Sequence, residues 1–171
     1  MRDIEDFIKE TVLDETQFNI CHELHGHCLT EHILDLKDLQ TKLWNMPKPT
    51  ADEPIVAASR FLSKEIALKT ISETLLKNVD EIINWRKKLL LPELVVIADF
   101  EEAIGDAIVK DADRGKPIPM HRCRIVLYNG DRFGQPFYIK TAYPSRTPDD
   151  IDACYDAMEE WEEKKKNKQK R

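Results

Sequence analysis

The chain has 171 residues, of which 42% are hydrophobic, and a formal net charge of −6. This length and composition are typical of one compact soluble domain. No stretch approaches the roughly 20 apolar residues of a membrane span, and the acidic residues 1–6 do not resemble a signal peptide. Four scattered cysteines form no disulfide framework, so we expect reduced thiols in a cytosolic setting.

The first half of the sequence predicts helices, because apolar residues recur there at helical spacing. The predicted helices cover residues 4–13, 33–43, 63–76 and 79–91. Ser63 can cap the third of them, and Pro47 and Pro92 end the second and the fourth.

The second half predicts strands rich in β-branched residues. They cover residues 94–97, 108–109, 123–128 and 137–139. The last two are expected to form a hairpin through residues 129–135, which include an Asn-Gly pair. Helices followed by strands predict an α+β fold in which an antiparallel sheet packs on helices.

Beyond Pro148, early acidic residues and late lysines favour a final helix. Its apolar stripe of Ile151, Tyr155, Met158 and Trp161 should pack on the domain or on a partner. The lysines after the stripe can contact RNA or form a frayed, solvated end, and the sequence leaves both open.

Four of the five histidines lie in one short window: His22, His25, His27 and His32. Imidazole titrates near neutral pH, so such a cluster points to proton transfer or to metal binding. The spacing departs from the metalloprotease pattern, in which the second histidine follows the first by four residues. An irregular zinc site that uses the neighbouring cysteines, and solvent-facing histidines without chemistry, both remain open.

Three segments in order carry a resemblance to a known family. They are residues 26–33 with the pattern Gly-His-x-x-x-x-His, residues 55–62 with Ala-Ser-Arg-Phe, and residues 137–144 ending in Thr-Ala-Tyr-Pro. This series resembles the bacterial ribonuclease A-like toxin domains at the C-termini of contact-dependent growth inhibition proteins. The resemblance implies a ribonuclease A-like fold with a helical N-terminal half packed on a curved antiparallel sheet.

The resemblance also implies a division of the chain. We expect an N-terminal helical extension over residues 1–18, a ribonuclease A-like catalytic domain over residues 19–147, and a C-terminal helix with a basic tail over residues 148–171. The first and last of these lie outside the matching segments.

The same resemblance implies five catalytic positions. His32 matches the principal acid or base, and His27 is expected to orient the site. Lys42 falls where the family has an arginine. Lysine keeps the positive charge but lacks the planar guanidinium that binds a phosphate through two hydrogen bonds. Thr141 and Tyr143 match two strand hydroxyls, which should share one face because they are two residues apart. No metal and no cofactor are expected.

A basic stretch overlaps the predicted strands. Between residues 114 and 146 it contains Arg114, Lys116, Arg122, Arg124, Arg132, Lys140 and Arg146, against the single acidic Asp131. We expect three of these, Arg122, Arg124 and Lys140, to bind RNA. A solvated basic edge that protects a sheet from aggregation remains open. His121 is a candidate second acid or base if its strand lies beside that of Thr141.

The function implied by the family is a metal-independent endoribonuclease toxin that leaves 2',3'-cyclic phosphate and 5'-hydroxyl ends. Its partners would be RNA, with transfer RNA as one candidate substrate, and a cognate immunity or antitoxin protein, and it would act in the cytoplasm. A net charge of −6 is unfavourable for a general nucleic-acid binder. Two alternatives stay open: a catalytically inactive RNA- or protein-binding module on the same scaffold, and a zinc-stabilised interaction domain.

Overall fold

The computed structural model describes residues 3–12, 33–88, 91–129 and 135–170. The histidine window, with His27 and His32, lies outside the described residues, so the predictions made for it and the zinc alternative stay predictions. The helices are α1 (Ile4–Phe7), which continues as a π-helix (Ile8–Val12), α2 (Leu36–Trp44), α3 (Lys64–Lys77), α4 (Val79–Lys88) and α5 (Pro148–Gln169). In the described ranges, no helix has the length and apolar character needed to cross a bilayer.

Side-chain caps fix where four of these helices begin, including α1, where Asp3 accepts a hydrogen bond of 2.8 Å from the backbone N–H of Glu5. Ser63 accepts a hydrogen bond of 3.1 Å from the backbone N–H of Ile66, which confirms the predicted cap of α3. Asp35 caps α2 in the same way. At α5, Thr147 and Asp150 form a reciprocal capping box. Short-range sequence signals therefore set the helix starts.

Within the described residues, six strands form two antiparallel sheets of three strands each. The strands are β1 (Ala57–Phe61), β2 (Glu93–Asp99), β3 (Gly105–Val109), β4 (Ile118–Met120), β5 (Arg122–Tyr128) and β6 (Tyr138–Ser145). The orders are β1-β3-β4 and β2-β5-β6. The predicted α+β fold is confirmed, and so is the antiparallel pairing of the last two strands.

Strand β1 corrects the prediction that the first half is helical. It pairs with β3 so that Arg60 lies opposite Asp106. Because its partner is so distant in the sequence, local spacing could not reveal this strand.

The main core lies between α1, α3, α4 and one face of the β2-β5-β6 sheet. The rings of Phe7 and Phe137 meet edge to face, with centroids 5.2 Å apart. Trp85 of α4 is buried, and its indole N–H donates to the carbonyl of Leu91 at 2.9 Å. The buried strand residues on this face are Val96, Cys123, Ile125, Leu127, Ile139 and Ala142. The helices thus cover one face of this sheet.

The β1-β3-β4 sheet has a helix on each face. Leu39 and Leu43 of α2 pack against Ile108 on one side. On the other side, Cys154 of α5 packs against Met120. The expected packing of the final helix on the domain is confirmed, although Cys154 is the buried contact and Tyr155 is exposed.

The two sheets touch where β1, together with Gly105 of β3, meets β6. A side-chain Cβ at Gly105 would collide with the backbone oxygen of Arg60 and would lie 2.5 Å from Cγ of Pro144. Glycine is therefore required at this contact, and it sets how closely the sheets approach.

Candidate active site

Three residues predicted to act in catalysis or RNA binding, Arg124, Thr141 and Tyr143, lie on the face of the β2-β5-β6 sheet that points away from the core. Across the three strands, Ile97, Arg124 and Tyr143 form one row. In the next row, Val126 pairs with Thr141. Thr141 and Tyr143 are both partly exposed, as is required of groups that meet a substrate. The structure therefore brings Arg124 beside the two hydroxyl residues.

An irregularity in β6 turns these hydroxyl residues toward the open face. The register with β5 shifts by one residue between Val126 and Leu127, which is a β-bulge. In a regular strand, Ile139, Thr141 and Tyr143 would all lie on one face. With the bulge, Ile139 is buried in the core while the two hydroxyl residues lie on the opposite face. Both the core and the site depend on this one extra residue.

The three cations predicted to bind RNA differ in what they already contact. Arg122 donates two hydrogen bonds to Asp99, of 2.7 and 3.1 Å. Lys140 forms an ion pair of 3.3 Å with Glu93, and its pKa is raised, first by a hydrogen bond with Tyr128 and then by Glu93. Arg124 is exposed and has no ion pair or side-chain hydrogen bond within the described part of the chain. Its guanidinium is therefore the most accessible of the three.

Lys42 lies in the last turn of α2 and is partly buried. Leu39 and Leu43 of the same helix are fully buried. A cleft of about 500 Å³ is lined by Met46, just after this helix, and by Tyr143. The structure thus brings the end of the helix that carries Lys42 close to the open face of the sheet.

Comparison with known proteins shows the family of this chain. The family model of the bacterial CdiA-CT RNAse A domain matches residues 26–144. The chain belongs to this family. The match covers most of the chain and contains Lys42, Arg124, Thr141 and Tyr143, whereas α5 lies beyond it.

A solved structure is also similar to this CdiA-CT RNAse A domain. The crystal structure of a CdiA-CT/CdiI complex from Y. kristensenii matches with a TM-score of 0.59 and 16% sequence identity. The match covers 70% of this chain and 99% of that chain. At this identity the similarity establishes the fold. Among curated proteins, no relative matches.

His121 lies away from the hydroxyl residues of this CdiA-CT RNAse A domain. It lies between β4 and β5, one residue before the strand that runs beside that of Thr141, but Thr141 pairs with Val126, five residues further along. Five strand residues span about 16 Å. Nδ1 of His121 is 2.7 Å from Oδ1 of Asp150, at the start of α5. The structure therefore ties His121 to the final helix and does not bring it to Thr141.

Arg60 is a connection that the sequence analysis missed. Its guanidinium bonds Asp106 at 2.8 and 3.2 Å and donates a third hydrogen bond, of 3.0 Å, to the carbonyl of Leu34. Leu34 follows His32 by two residues. Arg60 therefore anchors the chain just after the predicted acid or base of this CdiA-CT RNAse A domain. Only its place in the Ala-Ser-Arg-Phe segment hinted at a role.

Proposed function

We propose that this member of the toxin nuclease family is an endoribonuclease that needs no metal and cleaves RNA through its own 2'-hydroxyl. The observation that carries the proposal is the single open sheet face shared by Arg124, Thr141 and Tyr143. An exposed guanidinium beside two hydroxyls can bind a phosphate by charge and by hydrogen bonds. Acidic surface elsewhere limits nonspecific RNA binding without preventing catalysis.

The residues that the family resemblance assigns can carry out each proton transfer of this reaction. His32 acts as the principal acid or base: a base takes the 2'-hydroxyl proton, the 2'-oxygen bonds phosphorus, and the 5'-oxygen leaves with a proton from an acid. His27 orients the site. Lys42 supplies positive charge to the phosphorane, and Thr141 and Tyr143 donate hydrogen bonds to its oxygens. The products are a 2',3'-cyclic phosphate and a 5'-hydroxyl.

Arg124 is the first RNA contact in this proposal, since its charge is exposed. Arg122 and Lys140 contribute after exchanging their carboxylate partners, Asp99 and Glu93, for phosphates. Substrate phosphates compete with those carboxylates, so the two residues should add less to affinity than Arg124.

The proposal includes a protein partner and a place of action. The similar solved structure is a CdiA-CT/CdiI complex. By analogy, we expect a cognate immunity protein to cover the open sheet face of this chain and block RNA.

The toxin would act on RNA, including transfer RNA, in the cytoplasm. In this proposal, residues 19–147 form the catalytic domain, flanked by an extension at 1–18 and a helix with a basic tail at 148–171.

The test is incubation of purified protein with total RNA and with transfer RNA in excess EDTA. We expect cleavage that survives EDTA, leaves cyclic phosphate ends, and is lost in His32→Ala and strongly reduced in Tyr143→Phe. Tyr138→Phe is the matched control, because Tyr138 lies on the same strand with its ring against Tyr128, 5.3 Å between centroids. Cleavage that disappears only with EDTA would contradict the metal-free mechanism.

A second candidate, the inactive binding module, is favoured by Lys42, which stands where the family has arginine. If the protein is such a module, it should bind RNA without producing new 5'-hydroxyl ends. The variant Lys42→Arg distinguishes the enzyme from the inactive module, because the planar guanidinium of arginine binds phosphate through two hydrogen bonds. A rise in cleavage in Lys42→Arg supports a weakened enzyme, whereas binding without cleavage in both proteins supports the module.

A further inference from the structure

Two of the three tryptophans lie together on a surface away from the main core. Trp44, at the end of α2, is 72% exposed, and Trp161 lies on α5. Both line a cleft of about 410 Å³ together with Arg114 and Lys165. We call this the tryptophan cleft. A single exposed apolar side chain is ordinary, but apolar groups that adjoin one another on a surface mark a binding site, and these two rings line one cleft.

The fold holds these side chains in place. The Arg114 guanidinium lies 5.7 Å from the centroid of the Trp44 ring, and the Lys165 ammonium lies 5.8 Å from that of Trp161. Gln40 of α2 donates to the backbone oxygen of Arg114 at 3.4 Å. The packing of α5 on the β1-β3-β4 sheet carries Trp161 to the same cleft. Each ring therefore already has a cation beside it.

Positive charge surrounds the cleft in a protein whose net charge is −6. Lys164, near Trp161, is paired with Glu160 at 3.2 Å, but Lys48 lies near Trp44 and Lys168 lies near Trp161. With Arg114 and Lys165, these outnumber the two acidic residues of the cleft, Asp111 and Asp113. The Asp113 carboxylate is also engaged, since it accepts a hydrogen bond of 2.9 Å from the backbone of Gly115. The local charge therefore favours an anionic ligand.

We propose that the tryptophan cleft binds single-stranded RNA at a site separate from the open sheet face. Unpaired bases stack on aromatic rings while phosphates bind neighbouring cations, and this cleft offers both groups side by side. The inference rests on the proposed function, because it extends the contact with an RNA substrate. Trp161 and its lysines lie beyond the family match at residues 26–144, so the site is an addition to the family's domain.

Tryptophan fluorescence provides a direct test, since the third tryptophan, Trp85, is buried and serves as an internal reference. A single-stranded oligonucleotide of about 15 residues is titrated into the full-length His32→Ala protein, which prevents cleavage. We expect quenching that is lost when Trp44 and Trp161 are both replaced by Phe, which leaves Trp85. Trp44→Ala should weaken binding about tenfold, because one stacking ring is lost.

Charge reversals provide the matched comparison. Lys165→Glu with Lys168→Glu should weaken binding of the oligonucleotide about tenfold or more, because two phosphate contacts become repulsive. Lys87→Glu with Lys88→Glu changes the net charge equally on α4, away from the cleft, and should have a much smaller effect. Equal losses in the two proteins would mean general electrostatic attraction and would overturn the site. Equal binding of a duplex would overturn it as well, because paired bases cannot stack on the rings.

The outcomes separate this inference from the proposed function. If wild-type protein cleaves RNA but the oligonucleotide quenches neither Trp44 nor Trp161, the cleft proposal fails alone, and a protein partner becomes the better occupant. If quenching is seen but no RNA is cleaved, the cleft stands and the proposed catalysis fails.

Discussion

The guanidinium of Arg60 binds the carboxylate of Asp106 through two hydrogen bonds, of 2.8 and 3.2 Å. The two residues face each other across β1 and β3, and their side chains are 21% and 17% exposed. Partial burial protects this pair from solvent screening, so it contributes more than a surface pair. The third hydrogen bond, to Leu34, connects it with the chain that follows His32.

Removal of this anchor should destabilise the protein and impair the site. We expect Arg60→Ala to lower the free energy of unfolding by about 2 kcal/mol, because the Asp106 carboxylate is left unpaired and partly buried. Arg122→Ala is the control, since its partner Asp99 is 51% exposed and the loss should stay below about 1 kcal/mol. Urea unfolding measures both. Equal losses would contradict a special role for the Arg60 pair.

The contact between the two sheets should not tolerate a larger residue at Gly105. A Cβ there meets the backbone of Arg60 and the ring of Pro144, so Gly105→Ala should cost about 3 kcal/mol of unfolding free energy. At Gly115 an added Cβ would meet only the side-chain oxygen Oδ1 of Asp113, at 3.3 Å, so the Asp113 side chain has to shift slightly and Gly115→Ala should cost much less than Gly105→Ala. Thermal unfolding of the two variants distinguishes a specific collision from a general effect of alanine.

The stability of the α5 start should depend on pH through Asp150. Burial alone would raise the pKa of Asp150, but hydrogen bonds from Thr147 and His121 outweigh it and hold the pKa below its ordinary value. Such a carboxylate stabilises the fold above its ordinary pKa, and this stability is lost as the pH falls through the lowered pKa. Asp150→Asn should therefore cost about 2 kcal/mol near neutral pH and less below about pH 4.

Urea unfolding of wild type and Asp150→Asn at about pH 7, 5 and 3 measures this difference. A cost that is the same at every pH would show that hydrogen-bond geometry, and not the charge of Asp150, accounts for the effect.

RNA affinity should depend more on Arg124 than on Arg122. Arg124→Ala removes an accessible charge, so it should weaken RNA binding by about tenfold and reduce the slope of log affinity against log salt by about one. Arg122→Ala also frees the carboxylate of Asp99, yet we expect the smaller effect because Arg122 is already paired. Binding is measured with the His32→Ala protein at several salt concentrations. A larger loss in Arg122→Ala would reverse the proposed order.

The buried thiols should be inert in the folded protein. Cys123 and Cys154 are free and buried, and burial raises the pKa of Cys123 to about 12. We expect iodoacetamide at mildly alkaline pH to modify neither residue until denaturant is added. Peptide mass mapping measures the modification of each cysteine separately. Rapid modification of Cys123 in native protein would mean that the β2-β5-β6 sheet opens readily.

Much of the fold was predictable because its signals are local. Ser63 marks the start of α3, and the alternating strand β5 was recognised from its own residues. Strand β4 was missed because Pro119 lies in its centre, which is tolerated only because β4 is an edge strand. Strand β1 was missed because its partner lies far along the chain.

The candidate site was less predictable from local patterns. Thr141 and Tyr143 were assigned to one face, but regular alternation would also have put Ile139 there. Only the bulge in β6, which depends on pairing with β5, lets Ile139 lie in the core. Strand register likewise decides the contacts of the two arginines. It places Arg122 opposite Asp99, with which it pairs, and Arg124 opposite Ile97, so that Arg124 stays accessible.

The edge-to-face contact of Phe7 with Phe137 has a consequence for how the protein is made. The two rings are separated by most of the chain, so the core between them cannot close during synthesis until residue 137 has left the ribosome. Contacts of such high sequence separation also slow folding. The sheet that presents Arg124, Thr141 and Tyr143 is completed only by β6, which follows Phe137. A growing chain therefore stays without an assembled sheet face until β6 has emerged from the ribosome.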